Sequence, residues 1–252
     1  MADLAFTTHG NPKNPAVLLL HGFMSCGAQW HLNIPALNRH YFLISVELWG
    51  HGDSPTPAEP ACYSIDAYLE QFESIRLRFA IRRWHLIGQS YGAGLVLNYA
   101  LRHADSCTSV IVTNSRSALG NLPGPASGRP KYEKAGFHPR DLPFHPIHAR
   151  RFPEELKSNL VASADAMTVP AIKHGANLGS AMNFTERLGL LTTPLMITSG
   201  VYEKGWVADL EHLRQQYPDL KVEDLPGGHS INIEAAEGFN RVCLEFFTQH
   251  RA

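Results

Sequence analysis

At 252 residues, with 44% hydrophobic and 18% charged side chains, the chain can build a sizeable core as one large α/β domain or two small ones. Its formal net charge of −1 gives no bulk case for nucleic acid or an anionic membrane, and Arg82-Arg83 and Arg150-Arg151 are isolated basic pairs. The four cysteines are scattered without C-x-x-C spacing, the start shows no secretory pattern, and no apolar run approaches a membrane span. Free thiols, a cytoplasmic location and no membrane partner are expected.

Ala16-Val17-Leu18-Leu19-Leu20 is continuously apolar, as a parallel strand buried on both faces must be. It ends at His21-Gly22-Phe23, where a glycine lets backbone approach a reacting group. The spacing of Trp30 and Ile34 predicts a helix over 29–37. Tyr41 to Glu47 reads as a second buried strand, leading into a turn-rich loop through Trp49, Gly50, His51 and Gly52. Tyr68, Phe72, Ile75 and Phe79 fall at helical spacing within 65–79.

Trp84 to Ile87 is a short strand that runs into Gly88-Gln89-Ser90-Tyr91-Gly92, and the apolar segment 93–102 leaves as a helix. Strand, Gly-x-Ser-x-Gly, helix is the pattern of a nucleophile elbow: a tight turn lifts the serine hydroxyl above the sheet, and the glycines avoid collisions with neighbouring backbone. The helix N-terminus favours negative charge developing beside it. Ser109 to Asn114 is the next strand, so the order is that of a parallel sheet covered on both sides.

The alternation then breaks. From Gly120 to Pro146 there are four Gly and six Pro in 27 positions, followed by helical patterns over 154–167 and 172–182. Residues 120–190 are therefore read as a lid or cap inserted into a core formed by 1–119 and 191–252. His138, His145 and His148 fall in this insertion without metal-ligand spacing, and no metal site is expected. Alternation resumes with a strand at 194–199, a helix at 206–217, a strand at 220–225 and a terminal helix at 235–249.

Three chemistry-bearing residues follow strand ends: Ser90 on the elbow, Glu203 after the strand at 194–199, and His229 on a Gly-Gly loop after the last strand. Carboxyl ends of parallel strands share one sheet edge, so all three converge there. Ser90 becomes nucleophilic when His229 takes its proton, and Glu203 would fix the histidine tautomer. The N–H groups of Phe23 and Tyr91 are the natural pair of oxyanion donors. Asp224 is the rival acid, but it lies inside a strand and its side chain points at a sheet face. Asp209 and Glu211 are expected to face solvent. Trp30, Phe144 and Leu156 are candidate pocket residues, and Arg116 is placed to meet either an anionic group or solvent.

Taken together, His21-Gly22-Phe23, the loop from Glu47 to Ser54, the elbow, Gly200-Val201-Tyr202-Glu203 and Gly227-Gly228-His229 resemble the α/β-hydrolase superfamily from about Ala16 to Phe247. The resemblance implies a mostly parallel, twisted sheet of about eight strands flanked by helices, with a helical lid; the short stretch before Ala16 leaves little room for the family's first strands. It departs at Glu47 and Glu203, where many relatives carry Asp; Glu47 is expected to tie down its loop. The implied activity is hydrolysis of a carboxylic ester, lactone or thioester of a small, largely apolar molecule through an acyl-enzyme, as in carboxylesterases. No cofactor is expected. The alternatives are a carbon–carbon bond hydrolase of the same fold and a non-enzymatic ligand-binding member.

Overall fold

The structure is a computed structural model and describes residues 3–120, 132 and 136–251. Its centre is a sheet whose described strands number seven, in the order β1-β3-β2-β4-β5-β6-β7. β2 (Ala16–Leu20), β3 (Phe42–Val46), β4 (Trp84–Gly88), β5 (Cys107–Val112), β6 (Leu195–Gly200) and β7 (Lys221–Leu225) are mutually parallel. β1 (Phe6–His9) pairs antiparallel with β3 at the edge. This is the expected mostly parallel sheet of about eight strands, flanked by helices. The sequence pattern misses β1, because a four-residue edge strand with two exposed threonines carries no apolar run.

The uninterrupted apolar strands follow from cover on both faces. Side chains alternate along a strand, so Leu18 and Leu20 point into one apolar layer while Val17 and Leu19 point into the other. The first layer packs under α2 (Ile65–Arg78) and α3 (Tyr91–Arg102), with Phe72, Leu95 and Tyr99 fully covered. The second packs under α9 (Ala236–Gln249) through Phe239, Phe246 and Phe247. Burying each such side chain stabilises the fold by roughly 1.5–3 kcal/mol.

The expected helix over 29–37 is broken. A 3-10 turn at Gly27–Trp30 is followed by α1 (Ile34–Leu37), one turn long. Pro35 has no N–H, and its ring would strike the carbonyl of His31 in a continuous helix. β5 also begins two residues earlier than its apolar pattern implies and stops at Val112, leaving Asn114 beyond the strand end.

Between β5 and β6 the described elements are α4 (Arg116–Leu119), three short 3-10 turns, α5 (Glu154–Asp165) and α6 (Val169–Ser180). Part of the glycine- and proline-rich stretch, 121–131 and 133–135, lies outside the described residues. Thr168 caps α6 by accepting from the N–H of Ala171 at 3.3 Å. Then follow α7 (Lys204–Gln216), between β6 and β7, and α8 (Ile231–Glu234), just ahead of α9. No helix among the described residues is long and apolar enough to cross a membrane.

Candidate active site

The site is built on the turn from β4 into α3. Ser90 stands at the helix N-cap with φ +51° and ψ −106°, a left-handed backbone that a non-glycine residue adopts only when its surroundings impose it. Four hydrogen bonds do so. The Gln89 N–H donates to Leu20 O at 3.0 Å and the Gly92 N–H to Gln89 O at 2.8 Å. The Ser90 N–H donates to Thr113 Oγ1 at 3.3 Å, and Ser115 Oγ donates to Ser90 O at 2.6 Å. Both elbow glycines are required by space: a Cβ on Gly88 would sit 2.5 Å from Gly92 O, and one on Gly92 would sit 2.5 Å from Leu20 O.

Strand ends bring the other two groups to this turn. His229 Nε2 lies 2.8 Å from Ser90 Oγ, and His229 Nδ1 lies 3.0 Å from Glu203 Oε2. Glu203 is the N-cap residue of α7, three positions beyond the end of β6. Burial pushes its carboxyl pKa up, but hydrogen bonds from His229 and Asn114 and the nearby Arg116 charge outweigh that and hold it below the ordinary range. An ionised Glu203 puts the histidine proton on Nδ1 and leaves Nε2 to accept from the Ser90 hydroxyl. Asp224 lies elsewhere, on β7, paired with Arg214 at 2.7 Å.

Several positions around this trio are silent in the sequence. Asn114 donates through Nδ2 to Glu203 Oε2 at 2.7 Å and accepts from the Gly200 N–H at 2.8 Å. Gln89 donates to His229 O at 3.2 Å and so holds the histidine loop. Gln29 Oε1 accepts from the Gly22 N–H at 3.2 Å and from Ser25 Oγ at 2.7 Å. For Gln89 and Asn114 the only hint in the sequence is a polar residue just past a strand end, and many such residues are ordinary turn formers; Gln29 lacks even that.

The backbone around Phe23 is fixed from both sides. The Met24 N–H donates to His51 Nε2 at 3.1 Å, and His51 Nδ1 lies 3.0 Å from Trp49 O. His51 is fully buried, and burial lowers its pKa to about 3, so it stays neutral, donating from Nδ1 and accepting at Nε2. Met24 has φ +57°, so this bond secures a strained turn. Glu47 ties down the same loop, accepting from the Gly27 N–H at 2.9 Å and lying 3.2 Å from His21 Nε2.

Above Ser90 opens a cleft of about 970 Å³. Phe23 lies on its wall, stacked on Tyr91 at 5.5 Å and tilted against Phe144 at 5.6 Å. Phe144 is half exposed and lines the cleft. The segment between β5 and β6 also contributes Leu160 and Gly175 to the lining.

Three expectations need correction. Trp30 is fully buried against Phe239 at 6.4 Å in the core and does not line the cleft, because the broken helix turns its ring under the sheet. Leu156 is buried with Cys26, Leu160 and Ile233, and it is Leu160, one helical turn on, that reaches the cleft. Asp209 does not face solvent: it is mostly covered and pairs with Arg116 at 2.7 Å. Arg116 itself is at the cleft wall. His145, one of three histidines set aside as metal ligands, is buried with Nε2 3.3 Å from Asp165 Oδ1.

Comparison with known proteins decides the family. Residues 15–236 match the family described as alpha/beta hydrolase fold. The chain belongs to the α/β-hydrolase family. Epoxide hydrolase 3 of Xenopus tropicalis is 28% identical over 110 residues, which cover 44% of this chain and 30% of that protein. A Bacillus subtilis (strain 168) protein provisionally named 2-succinyl-6-hydroxy-2,4-cyclohexadiene-1-carboxylate synthase is 21% identical, with 97% of this chain and 94% of that one covered. The solved enol-lactonase from Burkholderia xenovorans LB400 superposes on this α/β-hydrolase with TM-score 0.82 at 20% identity, covering 97% and 96% of the two chains.

Proposed function

We propose that this α/β-hydrolase is a serine hydrolase that cleaves a carboxylic ester, or a lactone or thioester, of a small and largely apolar molecule. The observation that carries the reading is the continuous relay from Ser90 Oγ through His229 to Glu203 at the floor of the cleft.

In this reading Ser90 Oγ attacks the substrate carbonyl as its proton passes to His229 Nε2. The imidazolium is stabilised by Glu203 through Nδ1. The carbonyl oxygen becomes an oxyanion, for which the Phe23 and Tyr91 N–H groups are the proposed donors. The neighbouring amides of Gly22 and Met24 are already engaged by Gln29 and His51, which supports a fixed placement for the one between them. Collapse expels the alcohol or thiol, which takes the proton from His229, and leaves an acyl group on Ser90. Water then attacks that ester with His229 as base, releasing the acid and restoring the serine.

Residues 120–190 act in this reading as a lid that sets specificity, supported by the contributions of Phe144, Leu160 and Gly175 to the cleft. Four buried free thiols favour a reducing compartment such as the cytoplasm.

The test pairs a fluorophosphonate probe with p-nitrophenyl acetate hydrolysis. Wild type should be labelled and active. Ser90→Ala should remain folded, lose labelling, and lose on the order of 10⁴–10⁶ in kcat. Near-normal turnover in folded Ser90→Ala would overturn the mechanism.

A further inference from the structure

The cleft walls are mainly apolar, yet among the described residues three arginines line them: Arg116 at the start of α4, and Arg150 and Arg151 from the segment before α5. In a chain of net charge −1, such convergence is a local feature and not an overspill of bulk charge.

Two of the three sit beside the Glu203–His229 edge of the site. The Arg116 guanidinium lies against Gly205, two residues after Glu203, where its Nη1 would be 3.0 Å from an added Cβ. Its Nε is held by Asp209 at 2.7 Å. Arg151 lies over the Tyr202 ring at 5.1 Å, and its Nη1 would be 3.3 Å from a Cβ on Gly228, the residue before His229.

Among the described residues two carboxylates line the same cleft, and both are committed. Glu203 faces His229 and Asn114, while Glu234 accepts from the Gly228 N–H at 2.9 Å and pairs with Arg151 at 3.2 Å. Arg150 differs: it is exposed at the cleft and has no hydrogen-bond or ion-pair partner among the described residues. A substrate that covers this cation strips its water. A neutral substrate leaves the charge uncompensated, whereas a carboxylate repays the loss and matches the planar fork of an arginine.

We propose that the physiological substrate is an ester or lactone carrying a carboxylate, whose anionic end is held by Arg150 with Arg151 and Arg116 beside the Glu203–His229 edge of the cleft. This rests on the serine hydrolase reading above, and adds to it the charge of the substrate.

The experiment compares kcat/KM for carboxylated esters with neutral isosteres at low ionic strength. One pair carries the charge on the acyl side: the mono-p-nitrophenyl ester of glutaric acid against the p-nitrophenyl ester of the isosteric branched acid with isopropyl in place of carboxylate. The other carries it on the leaving group: meta-carboxyphenyl acetate against meta-isopropylphenyl acetate. At least one carboxylated member should win by about tenfold, the advantage should shrink in high salt and in Arg150→Ala, and it should invert in Arg150→Glu. Arg150 is exposed and unpaired among the described residues, so neither variant is expected to unfold the protein. Equal rates, or faster neutral substrates in both pairs, would overturn the proposal while leaving the hydrolase reading standing. Calorimetric binding of glutaric acid monoanilide to Ser90→Ala needs no turnover. Arg150-dependent binding without any esterase activity would sink the hydrolase reading and keep the anion site; no binding, or binding insensitive to Arg150, would count against the anion site.

Discussion

Asn114 donates through Nδ2 to Oε2 of Glu203 at 2.7 Å, the same oxygen that lies 3.0 Å from His229 Nδ1. The carboxamide is itself anchored, because its Oδ1 accepts from the Gly200 N–H at the end of β6. Asn114 therefore fixes where a glutamate, one methylene longer than aspartate, delivers its charge.

Asn114→Ala should leave the fold intact and lower kcat by roughly 10–100-fold, with little change in KM, since a hydrogen bond to a charged group contributes about 1.5–3 kcal/mol. Removing a donor that favours the ionised carboxyl raises the Glu203 pKa. The acid limb of the pH–rate profile should move to higher pH, and an unshifted limb would remove Asn114 from this role.

Glu203→Gln should keep the fold and lose up to about 10⁴ in kcat, because an amide no longer selects the productive histidine tautomer. Asp224→Asn, measured alongside, should match wild type, since Asp224 is paired with Arg214 on an exposed strand. A dead Asp224→Asn beside an active Glu203→Gln would move the acid to Asp224.

His51 reaches the Phe23 turn through the Met24 amide and through edge contact with the Phe23 ring at 5.5 Å, so it is a positioning residue. His51→Gln should lower kcat by about 10–100-fold and weaken a trifluoromethyl ketone inhibitor by the same factor, because in the proposed mechanism both draw on the Phe23 and Tyr91 donors. KM should change little. Loss of inhibitor and substrate binding in equal measure would point instead to general loosening of the loop.

The buried histidines set an acid limit on stability. Burial lowers the pKa of His51 to about 3 and of His85 to about 4. Both folded values lie below the ordinary histidine value of about 6.5, so below that pH the unfolded chain binds protons the folded one refuses. Stability should therefore fall as pH drops from about 6.5 towards about 4, by up to about 1.4 kcal/mol per pH unit for each histidine. Glu47 and Glu203, whose pKa values are lowered in the fold, add to the loss at still lower pH. Urea midpoints across this range check the slope, and His85→Gln should flatten it; an unchanged slope in the variant would remove His85 from the account.

Phe144→Ala should change selectivity more than chemistry. The ring is half exposed on the cleft wall and touches Phe23 from outside the serine relay. The rate on long acyl chains should fall several-fold relative to acetate. Equal losses on acetate and long chains would contradict a specificity role for this segment.

Local pattern and turn chemistry made much of this legible. The buried strands announced themselves because parallel strands covered on both faces must be apolar at every position, as at Ala16–Leu20. The elbow was legible because only glycine fits at 88 and 92. β1 was not, because its pairing with β3 supplies what its short, half-exposed sequence lacks.

By itself the sequence determined the α/β alternation, the elbow serine and the order in which Ser90, Glu203 and His229 follow strand ends. These depend on periods and turns encoded within a few residues. Only the tertiary structure decided which side chains share the cleft. It sent Trp30 and Leu156 into the core, brought Asn114 to Glu203 across 89 positions of chain, and put Arg116 and Arg150 on the lining of one cleft. The rotation of a helix about its axis and the meeting of distant strand ends are set by packing over the whole core, and no local window of sequence contains that information.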